Sequence, residues 1–260
     1  MFDFHMHSKV SYDGKSDALQ MVQAAVAAGL KEICFTDHLD YDPMGRETNI
    51  AFSTEDYNRT YDNLEHSQLV IRRGMEFGML PDNVQVFRED IKRRPFDFVL
   101  GSIHFADGID IYYPEFWDGK DHAKAEEQVL LNTLACVKAH DDFDVLAHLT
   151  YMSKAHANPD KRIIPYADHR ELFDEILQTL VSKGKGLEIN TSGVDVCGAT
   201  LPHEPYLRRF KELGGEIVTV GSDAHTAARV GQYCHETCIL VREIFGYVCT
   251  FAERKPIFHK

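Results

Sequence analysis

Short apolar runs alternate with segments of helical periodicity along nearly the whole chain. Seven of these runs have the length and the content of β-branched and aromatic residues that are typical of buried strands. They cover residues 2–5, 32–36, 70–76, 96–104, 143–148, 186–190 and 216–220. A further apolar stretch over residues 237–251 predicts one more strand or helix near the end of the chain.

Helical segments separate the runs, and several carry start and stop signals. Ser16 or Asp17 is placed to cap a helix that Gly29 ends, and Ser53 is placed to cap the next helix, which ends before Val70. Further helices are predicted over residues 81–92, 122–140, 166–182 and 205–213. Polar loops, such as the one over residues 40–49, join the units.

This alternation of strands and helices predicts the fold class. We expect an α/β protein in which the parallel strands close into one barrel. Residues 1–260 are expected to form this single domain, because no linker or low-complexity tract divides the chain. A doubly wound open sheet is the alternative. The chain has neither GxGxxG after its first strand nor GxxxxGK[ST], so nucleotide-binding folds have no motif support.

The composition narrows the possible partners. The net charge of −13 argues against a long nucleic acid as a partner. No stretch approaches the roughly 20 apolar residues of a membrane span, and no signal-peptide pattern begins the chain, so we expect no membrane contact. Six scattered cysteines are typical of reduced thiols in a cytoplasmic protein. The sequence leaves the oligomeric state open.

Potential metal ligands follow six of the seven runs. The spacing of two in His5-x-His7 and in Asp223-x-His225 places both side chains on one face of an extended chain. Because the active site of a parallel barrel forms at the carboxyl ends of its strands, we expect these side chains to meet at one mouth. The strand-end set comprises His5, His7, His38, Glu76, His104, His148, Asp223 and His225, and Asp13 in the loop after the first run can reach the same place.

The types of ligand indicate which metals could bind. Imidazoles combined with carboxylates suit Zn²⁺, Mn²⁺ or Fe²⁺ better than Mg²⁺. Nine groups are too many for one tetrahedral ion and are enough for two or three ions that share ligands. The positive charge left on such a cluster favours a phosphate dianion, so we expect a small phosphorylated substrate. The remaining histidines are expected to be structural: His66, His122, His140, His156, His169, His203, His235 and His259.

Six motifs, taken together, carry a family resemblance. They are His5-Met6-His7, Thr36-Asp37-His38, Gly74-Met75-Glu76, Ser102-Ile103-His104, Ala147-His148 and Gly221-Ser222-Asp223-Ala224-His225. Over nearly its whole length the chain resembles the polymerase-and-histidinol-phosphatase (PHP) superfamily, and within it the monofunctional histidinol phosphatases. The resemblance implies a distorted seven-stranded (β/α) barrel of the TIM-like type, with a trinuclear metal site.

The resemblance also implies how the ligands divide among the ions. His5, His7, Glu76 and Asp223 would hold one ion, Glu76 would bridge to a second ion held by His104 and His148, and Asp13, His38 and His225 would hold a third. Two positions depart from the family pattern. Many relatives have histidine where this chain has Asp13. Histidinol phosphatases commonly place a basic residue where this chain has Val194 and Asp195, which concerns substrate recognition.

The activity implied by the resemblance is hydrolysis of a phosphomonoester, with L-histidinol phosphate of histidine biosynthesis as the expected substrate. A hydroxide that bridges the ions would attack phosphorus in line with the leaving group. The expected catalytic residues are Asp223, Glu76 and His225. Candidate substrate contacts, chosen by their position in strand-end loops, are Lys154, Arg162, Asn190 and Arg229, and Tyr112, Tyr113 and Trp117 either form an apolar wall or pack internally.

Three alternatives remain at this stage. A phosphoesterase that acts on another small ester or on a nucleotide would use the same site. An amidohydrolase also begins with HxH on a barrel, but it usually needs a bridging lysine where this chain offers Glu76. A non-catalytic metal-binding domain is disfavoured because the ligand set is complete.

Overall fold

Seven parallel strands form a barrel in the computed structural model, which describes residues 1–45, 50–155 and 162–260. The remaining positions, which include His156 and part of the predicted loop over residues 40–49, lie outside the described residues. In chain order, the barrel strands are Phe2–Met6, Glu32–Phe35, Val70–Gly78, Phe98–Ser102, Val145–Leu146, Gly186–Asn190 and Val218–Gly221. Each overlaps one of the predicted runs.

Each barrel strand pairs in parallel with the next one along the chain. The first and seventh strands meet through a parallel bridge between Met6 and Ala224. Two backbone hydrogen bonds support this closure, from His7 N to Ala224 O at 2.9 Å and from Asp223 N to His5 O at 2.7 Å. The barrel is therefore nearly closed, which confirms the predicted fold and excludes the open sheet.

Helices connect consecutive barrel strands. Asp17 and Gln20 form a capping box at the first helix, and Ser53 Oγ accepts a hydrogen bond from Asp56 N at the second. The α-helices are Ala18–Ala27, Thr54–Tyr61, Val84–Ile91, Pro114–Trp117, His122–Ala139, Arg170–Ser182, Val194–Cys197, Glu204–Glu212 and Cys234–Phe245. Short 3₁₀ turns cover Tyr151–Lys154, Tyr166–His169, Thr191–Gly193 and Ala227–Arg229. The four-residue helices were not predicted from the sequence.

Additional short strands lie outside the barrel path. His38–Leu39 pairs with the third barrel strand and sets His38 opposite Glu76. Phe105–Ala106 and Ile109–Asp110 form a small hairpin beyond the fourth strand.

The chain ends in an antiparallel hairpin, Val248–Ala252 and Lys255–His259. Arg254 lies in the turn of this hairpin, and it hydrogen-bonds the carboxylate of Asp144 at 2.5 Å and the backbone carbonyl of Asp142. Because Asp144 directly precedes the fifth strand, the hairpin is fastened to the amino-terminal end of the barrel, opposite the ligands. The final apolar stretch predicted over residues 237–251 thus forms most of one helix, Cys234–Phe245, followed by one strand, Val248–Ala252.

Aromatic side chains fill the barrel near its amino-terminal end. Phe4 and Phe98 are fully buried, with ring centroids 5.5 Å apart in an edge-on arrangement. Phe251 of the terminal hairpin packs on Phe98 at 4.9 Å. The apolar core therefore occupies this end, and the polar ligands occupy the other. In the described parts of the chain, no helix combines the length and apolarity needed to cross a bilayer. The single domain over residues 1–260 stays a prediction.

Candidate metal centre

The nine predicted ligand residues converge at the carboxyl ends of the barrel strands. Their polar atoms form overlapping groups in which every ligand atom lies within 4.8 Å of the others. These groups are His5, His7 and Asp223; His5, Glu76 and His148; His7, Asp13, His38 and His225; and His38, Asp40 and His104. The structure brings together residues that are up to 220 positions apart, as the strand-end argument requires.

Glu76 lies at the centre of the cluster. Its Oε2 is 3.2 Å from His5 Nε2, 3.4 Å from His7 Nε2 and 3.2 Å from His38 Nδ1. None of these nitrogens is aligned for a hydrogen bond, and Oε2 is buried without a hydrogen-bond partner in the described residues. Three imidazoles directed at one orphaned carboxylate oxygen fit a cation between them, because buried polar atoms are otherwise nearly always paired.

The other oxygen of Glu76 faces two further histidines. Glu76 Oε1 is 2.8 Å from His148 Nε2 and 3.3 Å from His104 Nε2, and it accepts a hydrogen bond from Ser102 Oγ at 2.6 Å. The two oxygens of one carboxylate therefore point to different sets of imidazoles. This geometry suits a bridging ligand between two ions.

Asp223 lies in one group with His5 and His7. Its Oδ1 lies 3.6 Å from His5 Nε2 and 3.4 Å from His7 Nε2, and the two Nε2 atoms are 3.1 Å apart. The backbone at Asp223 is left-handed, with φ of 56°, a conformation that few non-glycine residues adopt and that aspartate tolerates. This turn directs the carboxylate inward directly after the seventh strand.

A third set lies nearer to solvent. Asp13 Oδ2 is 2.8 Å from His225 Nε2 and 3.5 Å from His38 Nε2, while Asp13 Oδ1 is buried without a partner in the described residues. The ring of His7 stacks between those of His38 and His225, at centroid distances of 4.4 and 4.2 Å. Aspartate at position 13 therefore reaches the same place as the other ligands, so this departure from the family pattern leaves the third set intact.

The protonation of the histidines follows from their surroundings. Burial, aided by the charges of His225 and His38, lowers the pKa of His7 to about 3, so His7 is neutral and able to bind a metal near pH 7. Burial also disfavours the charged form of His5, but Glu188, Glu76 and Asp223 outweigh it and raise its pKa well above the usual value. The carboxylates thus attract positive charge, which a divalent cation supplies better than a proton.

Two carboxylates that the sequence analysis missed orient the ligands from behind. Glu188 Oε1 lies 2.6 Å from His5 Nδ1. Asp40 Oδ1 lies 3.0 Å from His104 Nδ1 in hydrogen-bonding geometry, and Asp40 Oδ2 lies 3.1 Å from His38 Nδ1 without forming a hydrogen bond. A histidine that binds a metal through one nitrogen usually donates its other N–H to a carboxylate, which fixes its tautomer and orientation.

A sequence signal existed for each of these carboxylates. Asp40 follows His38 at the same spacing of two that identified His5 and His7, so both side chains lie on one face of an extended segment. Glu188 is a charged residue inside an apolar run, and it is almost fully buried. A buried carboxylate in a barrel strand needs a partner, and here the partner is His5.

A cleft of about 450 Å³ opens above the ligands. Lys154 and Arg229, two of the predicted substrate contacts, line this cleft. Lys154 Nζ donates to Ser192 Oγ at 2.8 Å and pairs with Asp223 Oδ2 at 2.5 Å. The ammonium group therefore lies directly beside the candidate metal ligands.

The other two predicted substrate contacts have different surroundings. Arg162 does not line the cleft, and its guanidinium hydrogen-bonds both oxygens of the buried Glu126 at 2.9 Å. Asn190 is fully buried, and its Oδ1 accepts hydrogen bonds from the backbone N and the Oγ of Ser192. The geometry thus supports a structural part for Arg162 and a positioning part for Asn190. Lys161 lies outside the described residues.

Tyrosine side chains form one wall of the cleft: Tyr12, Tyr112, Tyr113 and Tyr151. Trp117 is buried instead, and its Nε1 donates to the carbonyl oxygen of Ile111 at 2.8 Å. Tyr112 and Tyr113 therefore form part of the wall, as one interpretation of this loop predicted, whereas Trp117 packs internally, as the other predicted.

A nearly closed barrel of seven parallel strands, with histidines and carboxylates clustered at their carboxyl ends, defines the class of protein: an α/β barrel with a candidate multinuclear metal centre. Comparison with known proteins gives the family. The chain belongs to the PHP domain family, which matches residues 3–192.

Relatives extend this match over the whole chain. A histidinol-phosphatase from Lactococcus lactis is 33% identical over 257 residues, which cover 97% of this chain and 95% of that protein. The crystal structure of histidinol phosphate phosphatase from Lactococcus lactis, complexed with zinc, L-histidinol and phosphate, superposes with a TM-score of 0.87 at 31% identity and covers 98% of both chains. A structure from Listeria monocytogenes, with a TM-score of 0.70 and 20% identity, covers 90% of this chain and 99% of that one and supports the fold alone.

Proposed function

We propose that this protein is a metal-dependent phosphomonoesterase that hydrolyses L-histidinol phosphate to L-histidinol and phosphate. The observation that carries the proposal is the orphaned Oε2 of Glu76, which faces three imidazole nitrogens at the mouth of the barrel. The crystallised relative from Lactococcus lactis, which is bound to zinc, L-histidinol and phosphate, supports this choice of substrate.

The charge of the site supports a requirement for cations. Five carboxylates belong to the ligand cluster or contact its histidines: Asp13, Asp40, Glu76, Glu188 and Asp223. Without cations they would repel a phosphate group. Bound divalent ions would neutralise phosphate oxygens and lower the pKa of a coordinated water molecule. Zn²⁺, Mn²⁺ and Fe²⁺ match a donor set of imidazoles and carboxylates.

We assign the ligands to three ions by their groupings. His5, His7, Glu76 and Asp223 would hold one ion, Glu76 with His104 and His148 a second, and Asp13, His38 and His225 a third. The two oxygens of Glu76 support its place as the bridging ligand. Oε2 faces the imidazoles of His5, His7 and His38. Oε1 faces those of His104 and His148. Asp40 would keep the ring of His104, and Glu188 the ring of His5, in the binding orientation.

Substrate binding would rely on two cationic side chains at the cleft. Lys154 Nζ, which is 2.5 Å from Asp223 Oδ2, is placed to donate to a phosphoryl oxygen next to the ligands. Arg229, in the turn Ala227–Arg229 after the seventh strand, also lines the cleft and can approach the phosphoryl group with its planar guanidinium. Asp223, held between Lys154 and the imidazoles, would orient the attacking water molecule. Glu76 and His225 would act through the ions that they bind.

Another small phosphate ester, or a nucleotide, is the second candidate substrate. It is favoured by one observation: the cleft contains Asp195 where histidinol phosphatases commonly have a basic residue. The tyrosine wall could stack on a ring other than imidazole.

One assay decides between these substrates. We would measure phosphate release from a panel that includes L-histidinol phosphate, other phosphomonoesters and mononucleotides, with Zn²⁺, Mn²⁺ or Fe²⁺ supplied. We expect kcat/KM to be highest for L-histidinol phosphate. A strong preference for another ester would replace the substrate, and hydrolysis of amides or lactones without phosphate release would contradict the whole proposal.

We also propose that the enzyme works in the cytoplasm. Six free cysteines, of which five are buried, support this location, because reduced thiols are the rule there.

A further inference from the structure

An ion pair joins two loops across one side of the cleft. Asp195 belongs to the short helix Val194–Cys197, which follows the sixth barrel strand, and Arg229 ends the 3₁₀ turn that follows the seventh strand. Arg229 Nη1 donates to Asp195 Oδ2 at 3.0 Å. Both residues line the cleft, and each side chain is 38% exposed. The pair is therefore within reach of a ligand that occupies the cleft.

Asp195 is held by more than Arg229. The hydroxyl group of Tyr233 donates to Asp195 Oδ1 at 2.6 Å, and Gln232 Nε2 donates to Oδ2 at 3.0 Å. Thr191 Oγ1 further ties the loop by donating to the carbonyl oxygen of Gln232 at 2.6 Å. Three donors to one carboxylate fix its position, so it provides a firm anchor for the guanidinium.

Tyr233, which donates to Asp195, has an unfavourable backbone conformation. Its φ is 59°, in the left-handed region that disfavours bulky side chains. Such a conformation persists where surrounding contacts enforce it. The hydrogen bond to Asp195 is such a contact, and it also lowers the pKa of the Asp195 carboxyl, together with Arg229.

Arg229 needs such an anchor to bind an anion well. An arginine side chain loses rotamer freedom when it is fixed, which opposes binding unless the freedom is already lost. Among the described residues, the side chain of Arg229 hydrogen-bonds only Asp195, and it does so through Nη1. Its remaining N–H groups are available for oxygens of a ligand.

We propose that Asp195 is a positioning residue that holds the guanidinium of Arg229 over the cleft, so that Arg229 can bind the phosphoryl group of the substrate. This inference rests on the proposed phosphatase function. It also accounts for an acidic residue where relatives commonly have a basic one. The Asp195 carboxylate pairs with Arg229. The positive charge that position 195 lacks is supplied by Arg229, from the loop after the seventh strand.

Simple electrostatics and positioning predict opposite results for the removal of Asp195. If Asp195 acted only through its negative charge, Asp195→Ala would reduce repulsion and strengthen phosphate binding. If it positions Arg229, the same change weakens phosphate binding because the guanidinium is released. Inorganic phosphate is a suitable probe, because its binding does not depend on the identity of the ester.

The test measures the affinity of metal-loaded protein for inorganic phosphate by calorimetry in four proteins and one control. We expect Arg229→Ala to weaken binding roughly tenfold to a hundredfold, the usual range for a hydrogen bond to a charged group. Asp195→Ala should weaken binding by about three- to tenfold, which is less than the loss in Arg229→Ala, because the guanidinium is still present and only the cost of ordering its side chain is added. The double variant should bind no more weakly than Arg229→Ala. In steady-state assays Asp195→Ala should raise KM and leave kcat within about twofold.

Glu204→Ala is the control, because it removes an exposed carboxylate that pairs with an arginine, Arg208, at 2.6 Å on a helix that does not line the cleft. We expect its phosphate affinity to lie within about twofold of wild type. Metal content and thermal unfolding verify that each variant is folded.

The outcomes separate the two proposals. If wild type binds phosphate and Asp195→Ala binds it equally or more tightly, the positioning part is overturned and the phosphatase function stands. Equal losses in Glu204→Ala and Asp195→Ala would mean that the effect is not specific to the pair in the cleft, which also overturns it. If metal-loaded wild type neither binds nor releases phosphate, both proposals fail.

Discussion

Glu188 Oε1 accepts a hydrogen bond from His5 Nδ1 at 2.6 Å, on the side of the ring opposite the cluster. The same ring presents Nε2 to Glu76 and Asp223. The contact therefore determines which nitrogen of His5 carries the proton and which can bind a metal. Glu188 Oε2 also accepts a hydrogen bond from the backbone N of His148 at 2.8 Å, so one carboxylate contacts candidate ligands that follow two different strands.

Replacement of this carboxylate should weaken metal binding. Glu188→Gln keeps the shape but removes the charge that stabilises the orientation of His5. We expect zinc affinity to fall about tenfold to a hundredfold, as for other residues behind metal ligands. Competition with a chromogenic chelator measures the affinity. Glu127→Gln, at an exposed position on the helix His122–Ala139, is the matched control. Unchanged zinc affinity in Glu188→Gln would show that Glu188 has no part in the metal centre.

A side chain at Gly221 would disrupt the same contact. An added Cβ would lie 2.3 Å from His5 Cβ and 2.5 Å from Glu188 Oε1, both far inside van der Waals distance. We expect Gly221→Ala to lower the free energy of unfolding by about 1–3 kcal/mol and to reduce bound metal. Urea unfolding and metal analysis measure these effects.

Gly119→Ala provides the comparison for Gly221→Ala. Gly119 has φ of 71° and no heavy atom within 4 Å of an added Cβ, so only backbone strain arises there. This variant should lose some stability and keep all of its metal. Full metal content in Gly221→Ala would contradict the close packing of the first and seventh strands.

Lys154 provides a test of phosphate binding. Lys154→Met removes the charge beside Asp223 while it keeps most of the apolar stem. We expect KM for the phosphate ester to rise by about tenfold or more, because a charge-assisted hydrogen bond is lost. Lys154→Arg should recover part of the affinity. Lys124→Met, at an exposed helical position, should leave KM unchanged. Equal KM values for all three variants would remove Lys154 from the substrate site.

His140 should make stability depend on pH at a distance from the metal centre. The ring is buried, and its Nε2 donates to the carbonyl oxygen of Leu80 at 2.8 Å. Burial lowers the pKa of His140 below the usual 6.5, so below this pH the unfolded chain binds a proton more readily than the folded one. The contribution of the neutral ring to stability is thus present above pH 6.5 and is lost as pH falls.

His140→Gln keeps a donor for Leu80 and does not titrate in this range. In urea unfolding of metal-free protein, wild type should lose more stability than His140→Gln between about pH 7 and pH 5. Parallel pH dependence in the two proteins would mean that His140 does not contribute.

The sequence predicted those features that depend on local pattern. Apolar runs predict the barrel strands, and the rule that active-site residues collect at strand ends predicts that His5 and His225 lie at one mouth. This worked because a parallel barrel aligns the same end of every strand. The ligand residues themselves, as a set of contacts with ions, stay a prediction.

Features that depend on pairing across the fold were harder to predict. The partner of Glu188 lies 183 positions away, and no local pattern identifies it. The turn of the terminal hairpin places Glu253 and Arg254 at positive φ, without the glycine or asparagine that usually signals such a turn. The pairing of Asp195 with Arg229 likewise joins residues 34 positions apart, which no local pattern indicates.

A metal titration tests whether hydrolysis of the phosphate ester requires two to three bound ions. Protein stripped with EDTA is mixed with increasing Zn²⁺, and the release of phosphate from L-histidinol phosphate is measured at each ratio of zinc to protein. We expect no activity without metal and a rise in activity that saturates at two to three ions per chain, with Asp223→Asn inactive throughout. Full activity in the metal-free protein, or saturation at a single ion, would contradict this requirement.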